Sequence, residues 1–279
     1  MVCYNISRME TVMEILDAKT DIGLIRDKNE DASLIVCHPK NKNIKLLAVA
    51  DGMGGKQDGD IASQYIINSL KRWFTNKKIK QLNNYEEIIK LLTTYLKRLN
   101  NNLIKKYGPN HLGTTLTIAL IIYKYTIFFN CGDSRGYIYQ DNKLIQVTAD
   151  DSEVWFYYKY GEVEKDDLRY FVNNNLINAC LGTTPGLCKI STKVIENNYQ
   201  MLLLFTDGVT DMITDKKITQ IIKKENNENI LNKIINEAVH VNQNLKVPKR
   251  LLDKKLSKYI TPFNGRDNAT GIIYIKEDV

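Results

Sequence analysis

Three apolar runs in this chain end in an acidic residue beside glycine, and this recurrence limits the possible folds more than any other feature. Leu46-Leu47-Ala48-Val49-Ala50 runs into Asp51-Gly52, Leu202-Leu203-Leu204-Phe205-Thr206 into Asp207-Gly208, and Ile127-Phe128-Phe129-Asn130-Cys131 into Gly132-Asp133. A fourth acid, Asp267, opens the last apolar strand, and Asn29-Glu30-Asp31 opens the first. One Asp-Gly pair alone marks a tight turn. Together the acids imply more, because central strands of packed sheets bring their ends close, and carboxylates gathered there repel one another unless a cation lies between them. Oxygen ligands without His or Cys select hard ions, hence Mg²⁺ or Mn²⁺ rather than zinc.

Short apolar runs rich in β-branched residues pair across tight turns as antiparallel hairpins. The pattern predicts strands over 32–37 and 44–50, 115–122 and 126–130, 137–139 and 144–147, then 201–205 and 271–275. Helical periodicity covers 60–74, 85–107 and 218–241, the last with gaps. Hairpins interleaved with long helices predict an α+β fold of antiparallel sheets covered by helices. With no repeat and no Pro/Ser-rich linker, residues 1–279 read as one domain. The stretch from Ser152 to Leu187 has no clear period and reads as a flap or subdomain.

Composition excludes several function classes. The best candidate for a membrane span, Leu116 to Phe129, is broken by Lys124 and is shorter than the roughly 20 apolar residues required. Arg8, Glu10, Glu14 and Asp17 interrupt what a secretory signal would need to be apolar. The five cysteines are scattered, with no Cys-x-x-Cys pair, and suit a reducing cytoplasm. A net charge of +7 invites a nucleic-acid reading, with clusters at Lys71, Arg72, Lys77, Lys78 and Lys80 and at Lys246, Lys249, Arg250, Lys254, Lys255 and Lys258. Both clusters are interspersed with apolar residues, as on the wet face of a helix, and carry no aromatic recognition motif, so no nucleic-acid or membrane partner is expected.

The motifs, in order, are Arg26-x-x-Asn29-Glu30-Asp31, Ala50-Asp51-Gly52-Met53-Gly54-Gly55, Gly113-Thr114-Thr115-Leu116, Gly132-Asp133-Ser134-Arg135, Phe205-Thr206-Asp207-Gly208 and Arg266-Asp267-Asn268-Ala269-Thr270. Each is weak alone, but the ordered set closely resembles the type 2C metal-dependent protein serine/threonine phosphatases in their bacterial form, from about Asp21 to Ile275. The resemblance implies a four-layer α-β-β-α sandwich of two antiparallel sheets flanked by helices. It implies that Asp51 bridges two tightly bound Mn²⁺ or Mg²⁺ ions, that the Gly52 carbonyl binds one of them, and that Asp207 and Asp267 are further direct ligands. Glu30 and Asp31 would act through metal-bound water. Asp133 would hold a third, weaker ion further into solvent, and Arg26 would hold the phosphate through its guanidinium fork.

The implied reaction is hydrolysis of phosphoserine and phosphothreonine in proteins by a metal-bridged water or hydroxide, with no covalent intermediate. Met53 stands where eukaryotic members commonly carry histidine, so a metal-bound water would supply the leaving-group proton. His38, His111 and His240 read as turn or surface residues. The implied partners are phosphoproteins and a cognate serine/threonine kinase, and the chain would act as a monomer. Two motifs depart from the family pattern: Asp150-Asp151-Ser152 replaces Asp-His-Ser, and Asn178 replaces an arginine. Neither removes a ligand, so they bear on substrate selection and flap docking. The segment 247–264 is longer and more basic than the family typically has, and reads as an extended loop rather than a partner surface. The alternative is a phosphatase-like binding or regulatory domain, which would have no need of all three acids Asp51, Asp207 and Asp267.

Overall fold

The apolar runs lack polar alternation because their strands are covered on both faces. The computed structural model describes residues 13–54, 58–76, 84–241, 247–252, 257–261 and 267–277. Gly55 and Arg266 of the motifs, Cys3, Arg8 and Glu10, and the basic residues Lys77, Lys78, Lys80, Lys246, Lys254 and Lys255 lie outside them. The elements in order are β1 (Met13–Asp21), β2 (Asp31–His38), β3 (Asn41–Gly54), α1 (Gly59–Asn76), α2 (Tyr85–Tyr107), β4 (Leu112–Thr114), β5 (Leu116–Ile122), β6 (Tyr125–Cys131), β7 (Arg135–Gln140) and β8 (Lys143–Gln146). They continue with α3 (Trp155–Lys159), β9 (Ser191–Glu196), β10 (Met201–Phe205), α4 (Asp207–Thr210), α5 (Asp215–Lys224), α6 (Ile230–His240), α7 (Lys249–Leu252) and β11 (Ala269–Glu277).

One sheet has the order β1-β11-β10-β7-β8 and the other β2-β3-β5-β6-β9, with β4 paired to β3. All of these pairings are antiparallel. Alternate residues of each central strand enter different layers. Leu47 and Val49 of β3 meet Leu202 and Leu204 of β10 and Ile272 of β11 between the sheets. Leu46, Ala48 and Ala50 face outward to Ile66, Leu70, Leu92 and Leu96 of α1 and α2. Leu203, Phe205 and Ile273 face the other way, to Ile218, Ile234 and Ile235 of α5 and α6. The result is the expected four-layer α-β-β-α sandwich of two antiparallel sheets.

Local chemistry sets the element ends. Asn84 caps α2 by accepting from the Glu86 N–H at 2.9 Å. Glu86 and Glu87 lie in its first turn and Lys105 and Lys106 in its last, each opposing the helix dipole. The β7–β8 turn places Asp141 and Asn142 at φ 50° and 62°, the left-handed pair that a two-residue hairpin needs. The periodicity over 218–241 is two helices, not one. The run Glu225-Asn226-Asn227-Glu228-Asn229 breaks it, because Asn side chains compete for backbone hydrogen bonds. Strands β1, β4 and β9 have no counterpart in the sequence reading; β9 is an edge strand whose exposed side chains carry no apolar signal.

Three other expectations change. His38 is 3% exposed, its ring edge-on to Phe74 at 5.7 Å, so it belongs to the core rather than the surface. Of the segment 247–264, residues 253–256 and 262–264 lie outside the described residues; the rest is not a plain extended loop but contains α7, a 3-10 turn at Ser257–Tyr259 and a β-bridge from Ile260 to Phe171. In the flap stretch, Ser152 bridges Ile177, and Glu153 N–H donates to the Leu176 carbonyl at 3.0 Å, which closes a loop over 152–177. As expected, Lys71 and Arg72 lie on the exposed face of α1, and no described helix is long and apolar enough to cross a membrane.

Candidate active site

The acidic strand ends converge. Asp31 on β2 lies directly opposite Asp51 on β3, a pairing of like charges that is unfavourable unless something neutralises it. On the facing sheet Phe205 pairs with Gly271, so Asp207, just after β10, comes beside Asp267, just before β11. A hydrogen bond ties the two sheets together here: Thr206 Oγ1 donates to Asp31 Oδ2 at 2.9 Å. Arg26, Glu30, Asp51, Gly52, Met53, Asp133, Asp207 and Asp267 all line one cleft of about 240 Å³, so every residue expected at the site except Asp31 forms part of its wall. Asp31 is buried behind it, 6% exposed.

The backbone around Asp51 is fixed by the Gly113-Thr114-Thr115 motif. Thr115 Oγ1 accepts from the Asp51 N–H at 3.0 Å, while the Thr115 N–H and Thr114 Oγ1 both donate to the Asp51 carbonyl at 2.9 Å. Gly52 and Gly208 are required for close approach. A Cβ on Gly52 would lie 2.2 Å from the Gly59 carbonyl oxygen, and one on Gly208 would lie 2.0 Å from that of Asn268. Glu30 does more than face the cleft: its Oε1 accepts from the Gly59 N–H at 2.8 Å, capping α1.

Electrostatics at the site are dominated by crowding of like charge. Burial, then the neighbouring Asp267 and Asp211, pushes Asp207 up to about 7. Burial and the other acids raise Asp31, Asp51 and Asp133 well above the ordinary carboxylate range. After burial, the neighbouring Asp207 contributes most to the rise of Asp51. Arg26 Nη2 donates to Asp267 Oδ2 at 2.5 Å, and Arg26 Nη1 lies 4.0 Å from Glu30 Oε2. Among the described residues no group of three or more His, Cys, Asp or Glu side chains is already drawn around one point as a metal would draw it. Within the chain, Arg26 meets part of this charge. Yet Asp31 Oδ1 and Asp207 Oδ1 are buried without any hydrogen-bond partner, a cost of about 1–3 kcal/mol for each group. Orphaned carboxylate oxygens among mutually repelling acids fit a hard divalent cation.

Asp133 does not lie further into solvent than Asp51, Asp207 and Asp267: it is buried, whereas those three are only half-buried. It also lines a small polar recess behind the cleft with Arg135, Asp150, Asp207 and Asp211. Arg135 grips Asp150 through Nε at 2.8 and 3.0 Å and Nη2 at 2.7 Å. The two motif departures meet at the base of the flap. The Asn178 N–H donates to the Asp151 carbonyl at 2.5 Å, and Asp151 Oδ2 accepts from the Gly132 N–H at 3.1 Å.

Sequence reasoning missed two positioning residues. Asn268 donates through Nδ2 to the Ile22 and Lys28 carbonyls, both at 3.0 Å, and accepts from the Glu30 N–H at 2.8 Å, so it holds the loop that presents Arg26. Its place in the last motif was the available signal. Asp211 follows Asp207 by one helical turn, and that i,i+4 spacing could have placed it on the same face.

The profile of the protein phosphatase 2C family matches residues 26–244. The serine/threonine phosphatase stp of Listeria welshimeri is 31% identical over 264 residues, covering 91% of this chain and 93% of the relative. Among solved structures, the serine/threonine phosphatase Stp1 from Staphylococcus aureus superposes with a TM-score of 0.75 at 27% identity, over 93% of this chain and 94% of the other. The catalytic domain of the serine threonine protein phosphatase PstP in complex with 2 manganese ions shares the fold, with a TM-score of 0.71 at 24% identity over 95% and 99% of the two chains.

Proposed function

The chain belongs to the protein phosphatase 2C family, in its bacterial serine/threonine form, and on that premise we propose that it hydrolyses phosphoserine and phosphothreonine in proteins using Mn²⁺ or Mg²⁺ held in the acidic cleft. The observation that carries this reading is the pair of orphaned oxygens, Asp31 Oδ1 and Asp207 Oδ1, buried among acids that raise one another. Asp51, Asp207, Asp267 and the Gly52 carbonyl are the residues to hold two ions, with Glu30 and Asp31 behind them and Asp133 at a third, weaker position. Such ions supply charge neutralisation on the phosphoryl group and a water acidic enough to attack at neutral pH. The two manganese ions named with the PstP structure support this choice of metal.

The protein's own part is to bind and orient. Arg26 is half-exposed at the cleft wall and paired with Asp267. Once the charge of Asp267 is met otherwise, its guanidinium is free to take a phosphate through two parallel N–H donors. Asp51 and Asp207, which burial raises above the ordinary carboxylate range, would give up protons as cations bind. We place the enzyme in the cytoplasm, as a monomer opposing a serine/threonine kinase.

The test is turnover of p-nitrophenyl phosphate and a phosphothreonine peptide with Mn²⁺, without it, and with chelator. Mn²⁺-dependent hydrolysis of both is expected. Retention of the phosphopeptide without turnover would favour a regulatory binding domain instead.

Two variants divide the roles. Arg26→Ala should raise KM about tenfold or more, the value of a lost charged hydrogen bond. Its Mn²⁺ affinity should be unchanged or higher, since Asp267 is released; weaker Mn²⁺ binding would make Arg26 structural. Asp133→Ala should keep two tightly bound ions, counted by calorimetry, while kcat falls about tenfold or more. Wild-type rates at saturating Mn²⁺ would leave Asp133 without a third-ion role.

A further inference from the structure

The flap contains only short helical turns, namely α3 and 3-10 turns at Lys165–Tyr170 and Pro185–Leu187, so its position depends on what it packs against. Two of its residues, Asn175 and Ile177, line the cleft wall, and Asn174 Nδ2 donates to Asp211 Oδ2 at 3.2 Å in the recess behind it. The opposite side of the flap is held by the segment between α6 and β11. Arg250 Nη2 donates at 2.6 Å to Oδ1 of Asp167, which is itself 1% exposed. The Val172 N–H donates to the Tyr259 carbonyl at 2.9 Å, and the Thr261 N–H to the Tyr170 carbonyl at 2.8 Å, on either side of the Phe171–Ile260 bridge. Leu251, 1% exposed, enters the same apolar cluster as Leu168, Tyr170 and Phe171.

We infer that Arg250 and the backbone of Tyr259–Thr261 form a strap that positions the flap, and through it Asn175 and Ile177, for phosphoprotein substrates. The charge of Arg250 offsets a carboxylate buried in the flap, and burying that carboxylate unpaired is unfavourable. The three-residue β-pairing fixes Tyr170–Val172 as an edge contact, five residues from Ile177 at the cleft wall. A small aryl phosphate needs only the acids and Arg26, whereas a phosphoprotein must also fit against the flap. The inference rests on the phosphatase reading above, and its consequence is selectivity between substrates.

The test compares wild type, Arg250→Ala, Arg250→Lys and Thr261→Pro as full-length proteins. The Pro variant removes the N–H given to Tyr170 without altering charge. Hydrogen exchange by mass spectrometry should rise at residues 170–177 in Arg250→Ala and Thr261→Pro while β3 and β10 stay protected. KM for a phosphothreonine protein should rise roughly tenfold in both variants, with kcat and p-nitrophenyl phosphate hydrolysis unchanged, and Arg250→Lys should recover part of the loss. Unchanged exchange at 170–177, or equal losses on both substrates, would overturn the strap. A wild-type protein inactive on both substrates would refute the phosphatase reading, while the exchange result would still decide the strap.

Discussion

Asp51→Asn is expected to abolish measurable turnover, with kcat falling by at least about 10³-fold, equal to about 4 kcal/mol of transition-state stabilisation. The reason lies in where the carboxylate sits. Asp51 lies near the end of β3 opposite Asp31, is crowded by the charge of Asp207, and has both backbone polar groups clamped by Thr114 and Thr115. The amide keeps the shape and those backbone bonds but removes one negative charge from the centre of the acidic group, where a divalent ion gains most. Titration calorimetry should therefore show Mn²⁺ binding weakened together with the rate, while circular dichroism and Tm in chelator stay near wild type or rise, since a repelling charge has gone. Substantial Mn²⁺-dependent activity in this variant would sink the assignment of Asp51 as the bridging ligand.

The second large effect is a reversal of pH-dependent stability by metal. In the folded chain Asp207 titrates at about 7 against an ordinary 3.8, and Asp31, Asp51 and Asp133 are raised in the same direction. A carboxyl raised on folding makes the native state hold more protons than the unfolded one. Its favourable contribution is fully present below the unfolded value and is lost as pH rises through the folded one. The chelated protein should thus lose Tm steadily from about pH 4 to beyond pH 7, unlike a protein stabilised by ion-paired carboxylates. Mn²⁺ competes with the same protons. At pH 8 a thousandfold excess over Kd should add about 4 kcal/mol, of order 10 °C in Tm for a chain of this size, and at pH 5 much less. Equal Mn²⁺ shifts at the two pH values, or a chelated protein that gains stability with rising pH, would show that these acids do not share a cation.

The acids were legible in the sequence because two local rules coincide at them. An apolar run without alternation signals a strand covered on both faces, and an acid beside glycine at its end signals a turn too polar to be buried alone. Leu46–Asp51 and Leu202–Asp207 obey both, and both acids come to line one cleft. The expectations that changed concern residues whose surroundings come from distant parts of the chain. Nothing local to His38 tells that it will lie under Phe74, and the exposed side chains of β9 carry no apolar pattern. The depth of Asp133 depends on how β6 and β7 sit within two different sheets, which spacing along the chain does not encode.

The sequence by itself determined the sandwich, the acidic cleft and the family, since periodicity, turn chemistry and the order of six short motifs are all properties of neighbours in the chain. Tertiary structure alone decided the partners. Arg26 lies on Asp267, Glu30 caps α1 as well as facing the cleft, and Asn268 fastens the Arg26 loop. Arg250 of α7 pairs with Asp167 of the flap, 83 residues away in the chain. The physical reason is the same in each case. A charged or polar group takes whichever partner the packed layers bring within about 3 Å, and that is settled by how two sheets and their helices stack, not by the residues on either side of it.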